Sequence, residues 1–159
     1  MEIRPYTEED LPSMIRIWNQ VIEAASSFPQ EEYLNEETGK AWFSSQTYCG
    51  VAVENGTVIG LYTIRPNNVG RCSHAANAFY AVDKERRGRH IGTQIVEDSL
   101  VKAKELGFMF MQFNSVLECN IHARHVYERL GFVQVGTIPN GYRMNDGSYV
   151  NICLYYHKL

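Results

Sequence analysis

The stretch Arg87-Gly88-Arg89-His90-Ile91-Gly92-Thr93 sets arginines and glycines at the mouth of a helical pattern. The first backbone N–H groups of a helix have no partner inside it, and the helix dipole adds positive character there, so such an end accepts a phosphate. Gly88 and Gly92 let an anion come close to the backbone, and Arg87 and Arg89 add charge. The chemistry indicated is pyrophosphate binding; the plain alternative is an ordinary basic turn between a strand and a helix. It is not a Walker loop, because Gly-x-x-x-x-Gly-Lys-Ser/Thr is absent, nor a dinucleotide fingerprint, because Gly-x-Gly-x-x-Gly is absent.

Other side chains could also do chemistry. The run Ser73-His74-Ala75-Ala76-Asn77-Ala78-Phe79-Tyr80-Ala81-Val82 carries three polar candidates, among them His74 and Asn77. His74 can titrate near neutrality, but its strand parity differs from that of Asn77, which turns it toward the opposite layer. Asn120 can cap a helix while its amide reaches a ligand, or it can cap only. Glu23, Glu118 and the pair Asn114 and Ser115 are further pocket candidates. His122 and His125, three apart on one helix, could hold a metal; no carboxylate or thiolate nearby in sequence completes a site, and a solvated face is the simpler reading. Cys119 can carry an acyl group or be an inert small residue.

These groups need elements to hold them. Residues 72–82 read as a long strand running into the basic turn. Ile91, Ile95, Val96, Leu100, Ala103 and Leu106 recur at helical spacing after it, up to a stop at Gly107. Asn120 opens a short helix with an apolar face of Ala123, Val126, Tyr127 and Leu130, which ends at Gly131 before a core aromatic, Phe132. Toward the start, residues 2–6 form a strand. A helix begins near Asp10, with Pro12 in its first turn and a stripe of Leu11, Met14, Ile15, Trp18, Ile22 and Ala25. Ser26-Ser27-Phe28-Pro29 breaks it, and a second helix follows Asn35. Residues 48–53 and 58–64 form a hairpin around Asn55-Gly56, and Arg65 to Gly70 form a loop. Residues 108–116, 132–138 and 149–157 are further strands. The mixed order predicts one domain over residues 1–159, an α/β (α+β) fold: a mainly antiparallel sheet of about seven strands with helices on both faces.

Hydrophobic residues make up 45% and charged residues 21%, a balance for a packed core and against disorder. The formal net charge of −3 gives no reason to expect binding to nucleic acid or an anionic membrane. No apolar run is long enough to span a bilayer, and the charged start Met1-Glu2-Ile3-Arg4 does not read as a signal peptide. Cys49, Cys72, Cys119 and Cys153 are far apart, with no Cys-x-x-Cys, and are expected as reduced thiols packed in a cytoplasmic protein.

Arg87-x-x-His90-x-Gly92 resembles the acyl-CoA signature Arg/Gln-x-x-Gly-x-Gly/Ala of the Gcn5-related N-acetyltransferases, with His90 in place of the middle glycine. A larger residue is tolerable there if its φ is helical, because the site then uses its N–H. Asn120-x-x-Ala123-x-x-Val126-Tyr127, then Gly131-Phe132, resembles the family's second element, Asn-x-x-Ala-x-x-Leu/Val-Tyr then Gly-Phe. The resemblance covers almost the whole chain. It implies the GNAT fold, in which the fourth and fifth strands run parallel and splay apart, with acetyl-CoA in the gap as acetyl donor and no metal. It implies cofactor contacts at Arg87, Gly88, Arg89, His90, Ile91, Gly92, Thr93, Asn120 and Ala123, and backbone pairing of Tyr80 and Val82 with the pantetheine arm and acetyl carbonyl. Tyr127 becomes the candidate acid for the leaving thiolate; the alternative is a core tyrosine with a backbone partner. Many relatives place a glutamate where Asn77 stands. Asparagine is no base, but it can hold a water or position substrate, and the base stays unassigned.

Within the family, residues 18–43 with Ser26-Ser27-Phe28, the strand end Tyr80-Ala81-Val82 and the tail Asn140-Gly141-Tyr142-Arg143 resemble the phosphinothricin/methionine-sulfoximine type. That resemblance implies direct acetylation of the α-amine of a small amino acid or analogue. The loop arginines Arg65, Arg71 and Arg143 could clamp its carboxylate. The alternatives are a protein N-terminus, a lysine or a polyamine, which an acidic chain would suit, or a non-catalytic acyl-CoA sensor. Family members often form homodimers.

Overall fold

The computed structural model describes residues 1–159. The chain runs β1 (Glu2–Pro5), α1 (Leu11–Ala24), α2 (Glu36–Ser44), β2 (Tyr48–Glu54), β3 (Thr57–Pro66), β4 (Ala75–Val82), α3 (Ile91–Glu105), β5 (Phe110–Leu117), α4 (Ile121–Arg129), β6 (Val133–Arg143) and β7 (Tyr149–Lys158). The strands form one seven-stranded sheet in the order β1-β2-β3-β4-β5-β7-β6. Every pairing is antiparallel except β4 with β5, which α3 connects as a crossover. The β2–β3 turn has positive φ at both Asn55 (50°) and Gly56 (75°), the geometry a two-residue hairpin requires. No helix is long and apolar enough to cross a membrane.

Two cores sandwich the sheet. On one face, α1 contributes Leu11, Met14, Ile17, Trp18, Val21 and Ile22, and α2 contributes Phe43, over Val51, Val58, Leu61 and Ala81. On the other, Ile91, Ile95, Val96 and Ala103 of α3 lie against Tyr62, Ile64, Ala76, Ala78, Met111 and Phe113, with Val126 and Tyr127 of α4 packed alongside. Strand alternation sends Ala76, Ala78, Tyr80 and Val82 to the α3/α4 face, and Asn77, Phe79 and Ala81 to the α1/α2 face.

Several boundaries differ from the sequence reading. The buried stripe of α1 takes in Ile17 and Val21; Ile15 is half-buried, and Ala25 is the left-handed C-cap (φ 47°). β4 begins at Ala75, because Gly70–Cys72 curl into a 3₁₀ turn. His74 therefore lies before the strand, and the parity argument for it does not apply. β3 continues through Arg65 and β6 through Arg143, so these are strand residues and not loop arginines. The apolar pattern lapses there, but the ladder persists, with Arg65 opposite Asn77 and Arg143 opposite Tyr149. All four cysteines are free, but only Cys49 and Cys153 are buried; Cys72 and Cys119 are exposed.

Candidate active site

The sheet divides at its only parallel pairing. β4 and β5 pair through just two residue pairs, Ala75 with Phe110 and Ala76 with Met111, and then separate. A bulge helps turn β5 away. Phe113 faces Tyr155 and Val116 faces Cys153, so Asn114 and Ser115 together oppose one residue of β7. At the fork, the Asn77 side chain replaces the missing ladder bond: its Nδ2 donates to the Gln112 backbone carbonyl at 2.8 Å.

Beyond the fork, one edge of β4 is open. Asp83 N–H donates to Ile59 O and Ala75 O accepts from Asn67 N–H, so odd-numbered residues bond toward β3. Even-numbered residues face the other way, as His74 O does in accepting from Met109 N–H. The N–H and C=O groups of Ala78, Tyr80 and Val82 thus line the split. Tyr80 fixes its side chain apart from this, through a 2.7 Å hydrogen bond between its hydroxyl and Ser99 Oγ.

The basic turn and α3 follow directly from the open end of β4. Gly88 has φ +80°, and a Cβ built on Gly88 or Gly92 meets nothing within 4 Å, so backbone N–H groups are approachable at both. Ile91 is buried under the helix start, while Gly92 and Thr93 are half-exposed. Arg87 forms no ion pair. Arg89 differs: it grips Glu54 of the β2–β3 hairpin through two hydrogen bonds, 2.9 and 2.7 Å, which hold that carboxyl below the usual range. His90 corrects an expectation. It does not adopt a helical φ but is the left-handed N-cap, at φ 58° and ψ 14°, because the chain must reverse there to enter α3. Its side chain caps nothing.

α4 starts just past the end of β5. Asn120 is its N-cap: Oδ1 accepts from Ala123 N–H at 3.2 Å, and Nδ2 is left without a partner. One turn past Ala123, the ring of Tyr127 packs against Phe113 at 4.7 Å and Tyr80 at 6.4 Å. The Tyr127 hydroxyl makes no hydrogen bond, yet it is not among the sealed polar atoms, so it can be reached from outside. Burial, reinforced by nearby Tyr155, pushes its pKa well above the ordinary tyrosine value, which keeps it a proton donor at neutral pH.

On the α1/α2 face, the guanidinium of Arg65 lies over the rings of Trp42 (5.4 Å) and Phe79 (5.2 Å) and has no carboxylate partner. Phe79 in turn meets Phe28 and Trp18. Thr63 Oγ1 and Trp42 Nε1 are buried without a partner, Thr63 on this same face. A chain of amides links β5 to the β3–β4 connection: Gln112 Nε2 donates to Asn114 Oδ1 at 3.0 Å, and Asn114 Nδ2 donates to Asn67 Oδ1 at 2.6 Å.

The split therefore brings together Tyr80, Val82, the 87–93 turn, Asn120, Ala123 and Tyr127, with Asn77 at its closed end on the opposite face. Other candidates lie apart. His74 is exposed, its ring 5.7 Å from Phe110. Glu118 is exposed and accepts from Asn151. Arg71 is exposed, and Arg143 pairs with Glu31 at 2.8 Å. Glu23 is exposed and lines a cavity of about 350 Å³ together with Glu31, Tyr33 and Tyr142. His122 and His125 are exposed, and no three His, Cys, Asp or Glu side chains gather anywhere. The reading of sequence missed Gln112 and Asn67; a lone glutamine in the apolar run Phe110-Met111-Gln112-Phe113 was the available signal.

Comparison with known proteins agrees with this architecture. Over 94% of its length, the chain is 29% identical to N-acetyltransferase aca1 of Schizosaccharomyces pombe, of which the match spans 81%. A GCN5-related N-acetyltransferase from Kribbella flavida superposes with a TM-score of 0.91 at 27% identity, covering 99% of this chain and 97% of that one. A GNAT superfamily phosphinothricin acetyltransferase from Sinorhizobium meliloti, in complex with AcCoA, superposes at 0.92 with 19% identity, covering 99% and 88%, which speaks to the fold alone. The family model described as Acetyltransferase (GNAT) family matches residues 13–132, from α1 through the stop after α4. With that match across most of its length and a sheet forked between β4 and β5, the chain belongs to the Acetyltransferase (GNAT) family.

Proposed function

We propose that residues 1–159 form one acetyl-CoA-dependent N-acetyltransferase domain that acetylates the primary amine of a small amino acid or analogue by direct attack. The observation carrying this reading is the fork itself, with an unpartnered Tyr127 hydroxyl on one face and an unpaired Arg65 on the other. The open geometry at Gly88 and Gly92, the free N–H groups of α3 and the unpaired Arg87 suit a pyrophosphate. The exposed backbone of Tyr80 and Val82 suits an amide-bearing arm, and the spare Nδ2 of Asn120 suits a carbonyl oxygen. Acetyl-CoA supplies an activated acetyl group as a thioester. The acceptor nitrogen attacks the thioester carbon, the C–N bond forms, the C–S bond breaks and the electron pair leaves with sulfur. A proton from Tyr127 Oη meets that charge, the nitrogen gives up one proton to solvent, and solvent restores Tyr127.

Arg65 would hold the acceptor carboxylate; its guanidinium is pre-oriented by Trp42 and Phe79 and lacks a competing partner. A second reading, a polyamine or lysine acceptor, draws on Glu23 and Glu31 beside the 350 Å³ cavity. A panel of small amino acids, polyamines and peptides scored by thiol release separates the two. Release with amino acids, lost in Arg65→Met, supports the first; release only with polyamines or lysine peptides replaces it. The four free cysteines suit a reducing, cytoplasmic setting. A homodimer is part of the proposal: β6 is an edge strand exposing Val133, Val135 and Ile138. Sedimentation of Val135→Lys against the parent chain tests it.

A further inference from the structure

We propose that the acceptor reacts as an amine already neutral on arrival, with no base supplied by the protein, so that the enzyme selects weakly basic amines over lysine-like and polyamine amines. This rests on the acetyltransferase reading above. β4 (Ala75–Val82) and β5 (Phe110–Leu117), which bound the fork, and β3 (Thr57–Pro66), which pairs with β4, contain no carboxylate, histidine or lysine. Their titratable side chains are Tyr62, bonded to Asp98 on the α3 face, Tyr80, bonded to Ser99, and Arg65. What faces the acceptor side is amide: Asn77, whose Nδ2 is fixed by Gln112 O, and the Gln112–Asn114–Asn67 chain. Asn77 Oδ1 has no partner and is not sealed from solvent, so it can accept a hydrogen bond from an N–H of a neutral amine.

Neighbouring elements offer no replacement base: in the α1–α2 connection Glu31 is paired with Arg143 of β6, and the Tyr142 hydroxyl of β6 donates to Phe28 O. From α1, Arg16 is committed to Asp83 and Glu23 is exposed on the cavity side; from α2, Lys40 pairs with Glu8, and Glu36 and Glu37 are exposed in the first turn. Arg71, Cys72 and His74 are exposed before β4, and α4 sends Tyr127 to the opposite face. Arg65 adds a second reason. It stands directly across the ladder from Asn77, where paired Cβ atoms are about 5 Å apart, so the ammonium of a polyamine or lysine side chain, which brings no carboxylate to pair with Arg65, meets an uncompensated positive charge there.

The selectivity follows from acid–base equilibrium. At pH 7 the free fraction of an amine with a pKa of about 7.7–8.0, such as a peptide α-amine, exceeds that of a lysine amine, at about 10.4, by roughly 230- to 420-fold. The ionised carboxylate of a free amino acid raises its α-amine above the peptide value, so the margin is narrower for alanine and widens as fluorination lowers basicity. The higher nucleophilicity of the more basic amine recovers only part of that factor.

The test is kcat/KM against pH with alanine, 3-fluoroalanine and 3,3,3-trifluoroalanine, which keep one carboxylate and nearly one shape while basicity falls with fluorination. The expected result is a rise of about tenfold per pH unit that levels at each amine's own pKa, the inflection moving down the series. Asn77→Asp should add an inflection common to all three. An inflection at one fixed pH in the parent chain would reveal a titrating protein base and overturn the inference. Thiol release with none of the three, from protein that binds acetyl-CoA by calorimetry, overturns the amino-acid reading instead and removes the basis of this one.

Discussion

Tyr127 and His90 sit on either side of the fork, and each is governed by what surrounds it. Tyr127 combines a raised pKa with an unbonded hydroxyl, so removing the oxygen costs the fold little while depriving the leaving thiolate of a donor. Tyr127→Phe is expected to lower kcat by about 100-fold and leave KM for acetyl-CoA nearly unchanged, as read by steady-state thiol release. His90 carries a left-handed backbone that costs a side-chain-bearing residue about 1–2 kcal/mol. His90→Gly should therefore raise stability in urea unfolding, by up to about 1 kcal/mol after glycine's larger chain entropy is counted. At this scale the sequence spoke unevenly. Asn120 and Tyr127 were legible because capping chemistry and helical spacing are local. The conformation of His90 was not, because it is set by how the end of β4 must turn to meet α3. Arg65 looked like a loop cation, since nothing local announces that Trp42 and Phe79 stack on it.

Among the elements, α3 shows most directly how backbone direction becomes a binding property. Its second residue, Gly92, has open space around the missing Cβ, so a glutamate fits sterically and should even strengthen the helix by about 0.5–1 kcal/mol. Gly92→Glu is thus expected to melt no lower than the parent while losing at least about tenfold in acetyl-CoA affinity by calorimetry, since a carboxylate replaces an anion-attracting end. An equal affinity in the well-folded variant would remove the phosphate site. Element type and order were readable from periodicity and turn chemistry. The bulge at Asn114 and Ser115 was not, because it exists only relative to β7, a strand more than thirty residues further along the chain. The same holds for the strand ends: Arg65 and Arg143 break the apolar pattern, but partner strands keep their backbones extended.

For the molecule as a whole, charge and burial predict an asymmetric response to pH. Tyr62, Tyr80 and Tyr127 all have raised pKa values in the folded state, chiefly through burial. The unfolded chain loses these protons from about pH 10, while the native state retains them, so native stability is complete below that point and falls above it. Each tyrosine contributes a slope of about 1.4 kcal/mol per pH unit in that window. Acid works through Asp10, whose carboxyl is held low by the hydrogen bonds from Arg4; that contribution is present at neutral pH and fades as pH falls below the ordinary aspartate range. Chemical denaturation at pH 8, 10 and 11 is expected to show a steep loss only between the last two.

Two residue pairs and the adjacent bond from Met109 N–H to His74 O are all that weld β1–β4 to β5-β7-β6 by backbone. Mechanically this is a hinge, with Asn77 as its pin, and a molecule lying between the strands serves as the absent eighth strand. The amides of Ala78, Tyr80 and Val82, though central in the sheet, should then trade deuterium quickly in the free protein and slowly once acetyl-CoA bridges the halves. A slow exchange in both states would mean that the two leaves are joined by something other than their ligand.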